Sequence, residues 1–82
     1  MTSLSRASLQ RNVTMLSQLE TDCARNPSLP DQRFIDVRYA LTQAIGKTQN
    51  LDQIMQLGHM MHHLNALQAA FNARFMNHIT DE

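Results

Sequence analysis

Apolar residues recur at helical spacing along three stretches of the chain, with polar breaks between them. Leu9, Val13, Leu16, Leu19 and Cys23 form one stripe, widened by Met15, and predict a helix over residues 4–25. Ser3 or Ser5 is placed to cap its start. The helix is expected to stop by Asn26, because the residue before a proline is pushed out of the α region. Phe34, Val37, Leu41, Ala44, Ile45 and Thr48 mark a second helix over residues 31–47. Ile35 and Tyr39 fall on another side of it. That helix therefore carries two partly apolar faces, and a third helix or a partner is expected to cover the second. Ile54, Leu57, Met61, Leu64, Leu67, Phe71 and Phe75 make the main stripe of a long stretch over residues 51–79. Ala66, Ala69, Ala70 and Ala73 give it a small-residue side that another helix could approach closely. Thr80, Asp81 and Glu82 are expected to fray.

The first break is Asn26-Pro27-Ser28-Leu29-Pro30-Asp31, which holds both prolines of the chain. Ser28 or Asp31 is a candidate cap for the second helix, Asp31 also suits the helix dipole there, and Leu29 is a candidate staple. The second break, Gly46-Lys47-Thr48-Gln49-Asn50, leaves two readings open. Gly46 could end a helix, and Asn50 with Gln53 resembles a capping box for the next. Against this, Phe34, Val37, Leu41, Ala44, Thr48, Leu51 and Met55 keep an unbroken three-four alternation, as one continuous helix would. The break is favoured. The fold class is all-α: an antiparallel helical hairpin followed by a long third helix, in one domain spanning residues 1–82, with continuity of helices two and three as the alternative.

Eighty-two residues bury a small core, and Cys23 is the only cysteine, so no disulfide supports it. A lone thiol on an apolar stripe reads as a small buried hydrophobe. Support from a partner is expected instead, either another helical protein or a second copy. Seven basic residues balance seven acidic ones and the arginines are dispersed, so no nucleic-acid partner is expected. No apolar run approaches the ~20 residues of a membrane span. Met1-Thr2-Ser3-Leu4-Ser5-Arg6 has no apolar signal-peptide core, so a cytoplasmic location is expected, or export by a route without a cleaved signal.

Candidate chemistry is sparse. His59 and His63 stand four apart on a helix, with His62 beside them, a spacing that can hold a transition metal. They lack a third ligand nearby, so no metal or other cofactor is expected, although two copies meeting at His59 and His63 could complete a site. No nucleophile motif, glycine-rich phosphate loop or acid pair is present, and no enzymatic activity is expected. Met15, Met55, Met60, Met61 and Met76 read first as ordinary core, since Met61 lies on the main stripe; the alternative is an adaptable binding surface, for which Met60, nearer the edge, is the better candidate. Ile35, Tyr39, Met55 and Met60 fall off or at the edge of the main stripes and are the candidate partner-binding residues.

Arg25-Asn26-Pro27-Ser28-Leu29-Pro30, followed by a helix carrying Tyr39, resembles the turn of small helical-hairpin components of bacterial type III secretion systems. Needle subunits carry a similar Pro-Ser-x-Pro turn, and the small co-chaperone that holds a needle subunit is a hairpin of similar size. The resemblance spans roughly residues 9–48. The stretch through Glu82 is longer than a needle subunit's second helix, which suits the co-chaperone better. It implies a non-enzymatic secretion chaperone or co-chaperone that packs helix-on-helix against a partner. The rivals are a self-assembling helical subunit and a histidine-linked metal- or pH-sensing dimer.

Overall fold

The computed structural model describes the backbone of residues 2–80 and the side chains of residues 2–74. Three helices follow in order: α1 over Arg6–Arg25, α2 over Asp31–Lys47 and α3 over Leu51–Thr80. The all-α class and the three-helix arrangement hold, and α2 and α3 are separate helices. The side chains of Phe75 and Met76, and the expected fraying of Asp81 and Glu82, lie outside the described residues.

Helix α1 begins two residues later than expected, because Ser5 takes the capping position and its Oγ accepts from Ser8 N at 3.1 Å. Leu4 stays in an extended arm. At the far end, Asn26 N donates to Asp22 O at 2.8 Å and Asn26 Oδ1 accepts from Ser28 N at 2.9 Å, which folds the chain back. Pro30, with φ −73° and ψ 148°, occupies the cap position of α2, with no side-chain cap bond. Neither Ser28 nor Asp31 caps; Asp31 sits in the first turn, where its charge faces the positive end of the helix. Leu29 and Phe34 hold the two positions of a hydrophobic staple, and both are buried in the same cluster. Arg33 completes the corner with an ion pair to Asp22 at 2.6 Å.

The break between α2 and α3 owes little to Gly46. That glycine lies inside the last turn of α2 and has no positive φ. Thr48 makes the stop. Its backbone is extended (φ −113°, ψ 145°), its Oγ1 accepts from Asn50 N at 3.1 Å, and the residue is buried. A threonine hydroxyl that bonds the backbone two residues on offers the chain an alternative to the helix ladder. Asn50 then starts α3 by accepting from Gln53 N at 3.2 Å. The reciprocal half of the capping box does not form, because the Gln53 side chain is engaged elsewhere. Its Oε1 accepts from Leu4 N at 2.9 Å and lies 2.6 Å from Thr48 Oγ1, while its Nε2 donates to Leu4 O at 3.0 Å. With Gln49 N donating to Thr2 O at 2.7 Å, these bonds latch the N-terminal arm onto the α2–α3 corner.

The core runs along the axis where the three stripes meet. Leu19, Phe34, Leu41, Leu57 and Leu64 are fully enclosed, with Leu16, Cys23, Val37, Ala44 and Phe71 around them. Phe34 and Phe71 stack at a tilt, their centroids 5.5 Å apart, a favourable aromatic geometry. The α2–α3 pair is the most extensive interface and α1–α3 the least. Val13, expected on the α1 stripe, is 37% exposed. Leu51 and Met55, which the continuous alternation would bury, are 74% and 63% exposed, because the break at Thr48 turns them outward. No helix among the described residues is long and apolar enough to cross a membrane.

Candidate binding surfaces

α3 covers the Phe34–Leu41 face of α2 and leaves the Ile35–Tyr39 side open. Ile35 is 50% exposed and Tyr39 66%. Tyr39 stands one helical turn beyond Ile35, at the lip of a groove of about 410 Å³ that runs between α1 and α2. Leu4, Met15, Ala40 and Ala44 give that groove an apolar lining, and Ser8, Asn12 and Gln43 add polar groups. Its charged residues among those described are Arg11 and Lys47, both cationic, and no described acid lines it. No described side chain of α3 takes part. The groove exists because Ser8, Arg11, Asn12 and Met15 recur at three- and four-residue steps along α1, flanking the stripe that makes the core.

The four candidate partner-binding residues do not converge on one patch. Phe34 stacks on Phe71, and Arg38 Nη2 donates to Asn65 Oδ1 at 2.8 Å and to Gln68 Oε1. Ile35 and Tyr39 therefore stand level with residues 65–71 of α3. Met55 belongs to the opposite end of the antiparallel α2–α3 pair, beside Leu51. Met60 is half-buried and packs against the core, as do Met15 and Met61. Leu51 and the lining residues Leu4, Arg11 and Lys47 were not among the candidates. Leu51 carried a misleading signal, the alternation through the corner, and Leu4 could be placed only once the arm was known to stay extended.

The histidines diverge as well. His63 Nε2 lies 3.2 Å from Glu20 Oε2, a contact that ties α3 to α1, and both side chains are about half exposed. His59 and His62 are exposed. Among the described residues no group of three His, Cys, Asp or Glu side chains is placed to hold a metal ion. Cys23 is buried, and burial, followed by the nearby carboxylate of Asp22, pushes its thiol above the ordinary value of 9.0. A thiol so held stays protonated at neutral pH and is a poor nucleophile. A second, smaller cleft of about 220 Å³ opens beside it between α1 and α3, lined by Glu20, Ala24, Leu67, Ala70, Phe71 and Arg74.

No family model matches the chain, and no curated protein or solved structure matches it.

Proposed function

We propose that the chain is a non-enzymatic protein-binding module that receives a partner helix in the groove between α1 and α2. The observation that carries this is the Tyr39 lip: a large aromatic, 66% exposed, beside an apolar channel that none of the described residues fills. Amphipathic helices dock into such channels by laying down apolar anchors at three- and four-residue spacing. Tyrosine suits the edge of a docking site because its ring buries apolar area while its hydroxyl keeps a polar partner. Arg11 and Lys47 favour a partner helix with acidic residues flanking its apolar stripe.

The partner is a protein rather than a nucleic acid, since seven basic residues are offset by seven acidic ones. The narrower reading, a cytoplasmic co-chaperone of a type III secretion needle subunit, is supported by the resemblance of the Pro27–Pro30 turn to that family. Its task would be to keep an aggregation-prone helix covered until export. Affinity purification from the native cell tests both levels. The wild-type chain is expected to retain a helical protein that a Tyr39→Lys variant, folded to the same helicity, loses. Equal retention by both chains removes the groove from the interface, and a partner unrelated to secretion removes the narrower reading.

A further inference from the structure

The N-terminal arm belongs to the groove as well as to the α2–α3 corner. Leu4 lines the groove and is half-buried against the core. Because α1 and α2 run antiparallel, Leu4 and Ser8 stand with Ala44 and Lys47 at one end of the channel, and Met15 and Tyr39 stand at the other. Leu4 is the one described lining residue outside a helix, so no helix ladder fixes its place. What fixes it is a single side-chain amide: Leu4 N donates to Gln53 Oε1 at 2.9 Å, and Gln53 Nε2 donates to Leu4 O at 3.0 Å. Farther out, Thr2 and Gln49 repeat the arrangement. Thr2 N donates to Gln49 Oε1 at 3.2 Å, and Gln49 N donates to Thr2 O at 2.7 Å. Gln53 itself is not among the described residues that line the groove.

We infer, on the reading that the groove receives a helix, that Gln53 is a positioning residue for it. Through the arm, Gln53 holds Leu4 as the end wall of the channel, so that docking of a helix and latching of the arm stabilise each other. The arm is a short extended segment tied down by a few hydrogen bonds, the kind of segment that opens locally well before the whole fold does. When it is released, the channel loses its apolar wall at the Lys47 end. When it is latched, the wall is formed before the helix arrives. A helix that touches Leu4 only in the latched state favours that state, and by linkage the latch favours the helix by the same factor. The opposite role, an arm that plugs the groove, would need Leu4 to fill the channel. A channel of about 410 Å³ instead stays open with the arm in place.

The probe is a capped peptide of about sixteen residues, long enough to form a helix, with leucines at three- and four-residue spacing and glutamates on both flanks. Fluorescence anisotropy reads its affinity for the full chain and its variants. Gln53→Ala, which alters no described lining residue, is expected to weaken binding about fivefold or more. Leu4→Ala removes the wall, leaves the main-chain bonds to Gln53 in place, and is expected to weaken binding by a similar factor. The double variant is expected to lose little beyond the weaker single one, because both act through one side chain. Circular dichroism checks that each chain is folded. Should Gln53→Ala not fold, Gln53→Glu takes its place, since it keeps the acceptor for Leu4 N and loses the donor to Leu4 O. Hydrogen exchange at the Leu4 amide reads the reciprocal effect: saturating peptide is expected to slow it about fivefold or more in the wild-type chain, which a merely structural Gln53 would not produce. Equal or tighter binding by Gln53→Ala, additive losses in the double variant, or a Leu4 amide indifferent to the peptide overturns the inference and leaves the groove reading standing. A wild-type chain that does not bind the peptide up to about 1 mM removes the groove reading and this inference with it.

Discussion

Replacing Gln53 by alanine opens the latch between the N-terminal arm and the α2–α3 corner, and its cost follows from the bonds removed. The side chain makes three: to Leu4 N at 2.9 Å, to Leu4 O at 3.0 Å and to Thr48 Oγ1 at 2.6 Å. A protein hydrogen bond contributes a net ~0.5–1.5 kcal/mol, so three removed together cost between about 1.5 and 4.5 kcal/mol. The Leu4 groups regain water when the arm lifts, which pulls the figure toward the lower end. Thr48 pulls it upward, because it is buried and its hydroxyl loses the nearer of its two acceptors, leaving only Thr2 O at 3.4 Å. The balance is about 2 kcal/mol. For a domain of this size that corresponds to a fall in melting temperature of roughly 8–16 °C. Urea denaturation followed by circular dichroism at 222 nm measures it. Deleting residues 1–4 removes the same two Leu4 bonds together with the Thr2 O bond to Gln49 N, so it should cost at least as much, and combining it with Gln53→Ala should cost less than the sum of the two, because the Leu4 bonds are lost in both. A Gln53→Ala chain within about 0.5 kcal/mol of the parent, or full additivity with the deletion, would refute the latch.

Further outcomes follow from the core and the helix interiors. Gly46→Ala should stabilise the chain by about 0.5–1 kcal/mol, since a Cβ there meets nothing within 4 Å and alanine is the better helix former; thermal melting checks it. Phe34→Ala removes a fully enclosed ring stacked on Phe71 and should cost about 3–5 kcal/mol, enough to abolish the cooperative transition in so small a domain. Because burial raises the Cys23 thiol above 9.0, the folded chain holds its proton more tightly than the unfolded one. Its contribution to stability is therefore intact below pH 9.0 and declines as pH rises beyond it. Denaturant midpoints of wild type and Cys23→Ala at pH 8 and pH ~10.5 should converge at the higher pH.

Much of the fold was legible because the helical stripes are long and prolines punctuate them. Pro27 and Pro30 placed the first corner to the residue, and Leu16, Leu19, Leu41, Leu57 and Leu64 all lie where the periodicity put them. The second corner was ambiguous because Leu51 and Met55 extend the alternation of α2 by chance of spacing. What decides it is the buried hydroxyl of Thr48 and the reach of Gln53 to an arm nearly fifty residues away, and periodicity carries no record of such a contact. The candidate surfaces were half legible for the same reason. That Ile35 and Tyr39 lie off the stripe follows from sequence. Which helix pair leaves them open, and which cations border the groove, depends on how three helices share one axis.

Docking of a helix between α1 and α2 is tested most directly by nuclear magnetic resonance on the 9.4 kDa chain while the captured partner is titrated in. Amide shifts are expected to concentrate over residues 4–15 of α1 and its arm and residues 35–47 of α2, with the outer face of α3 unmoved by the partner. Shifts confined to α3, or an unperturbed Tyr39 at saturation, would contradict it.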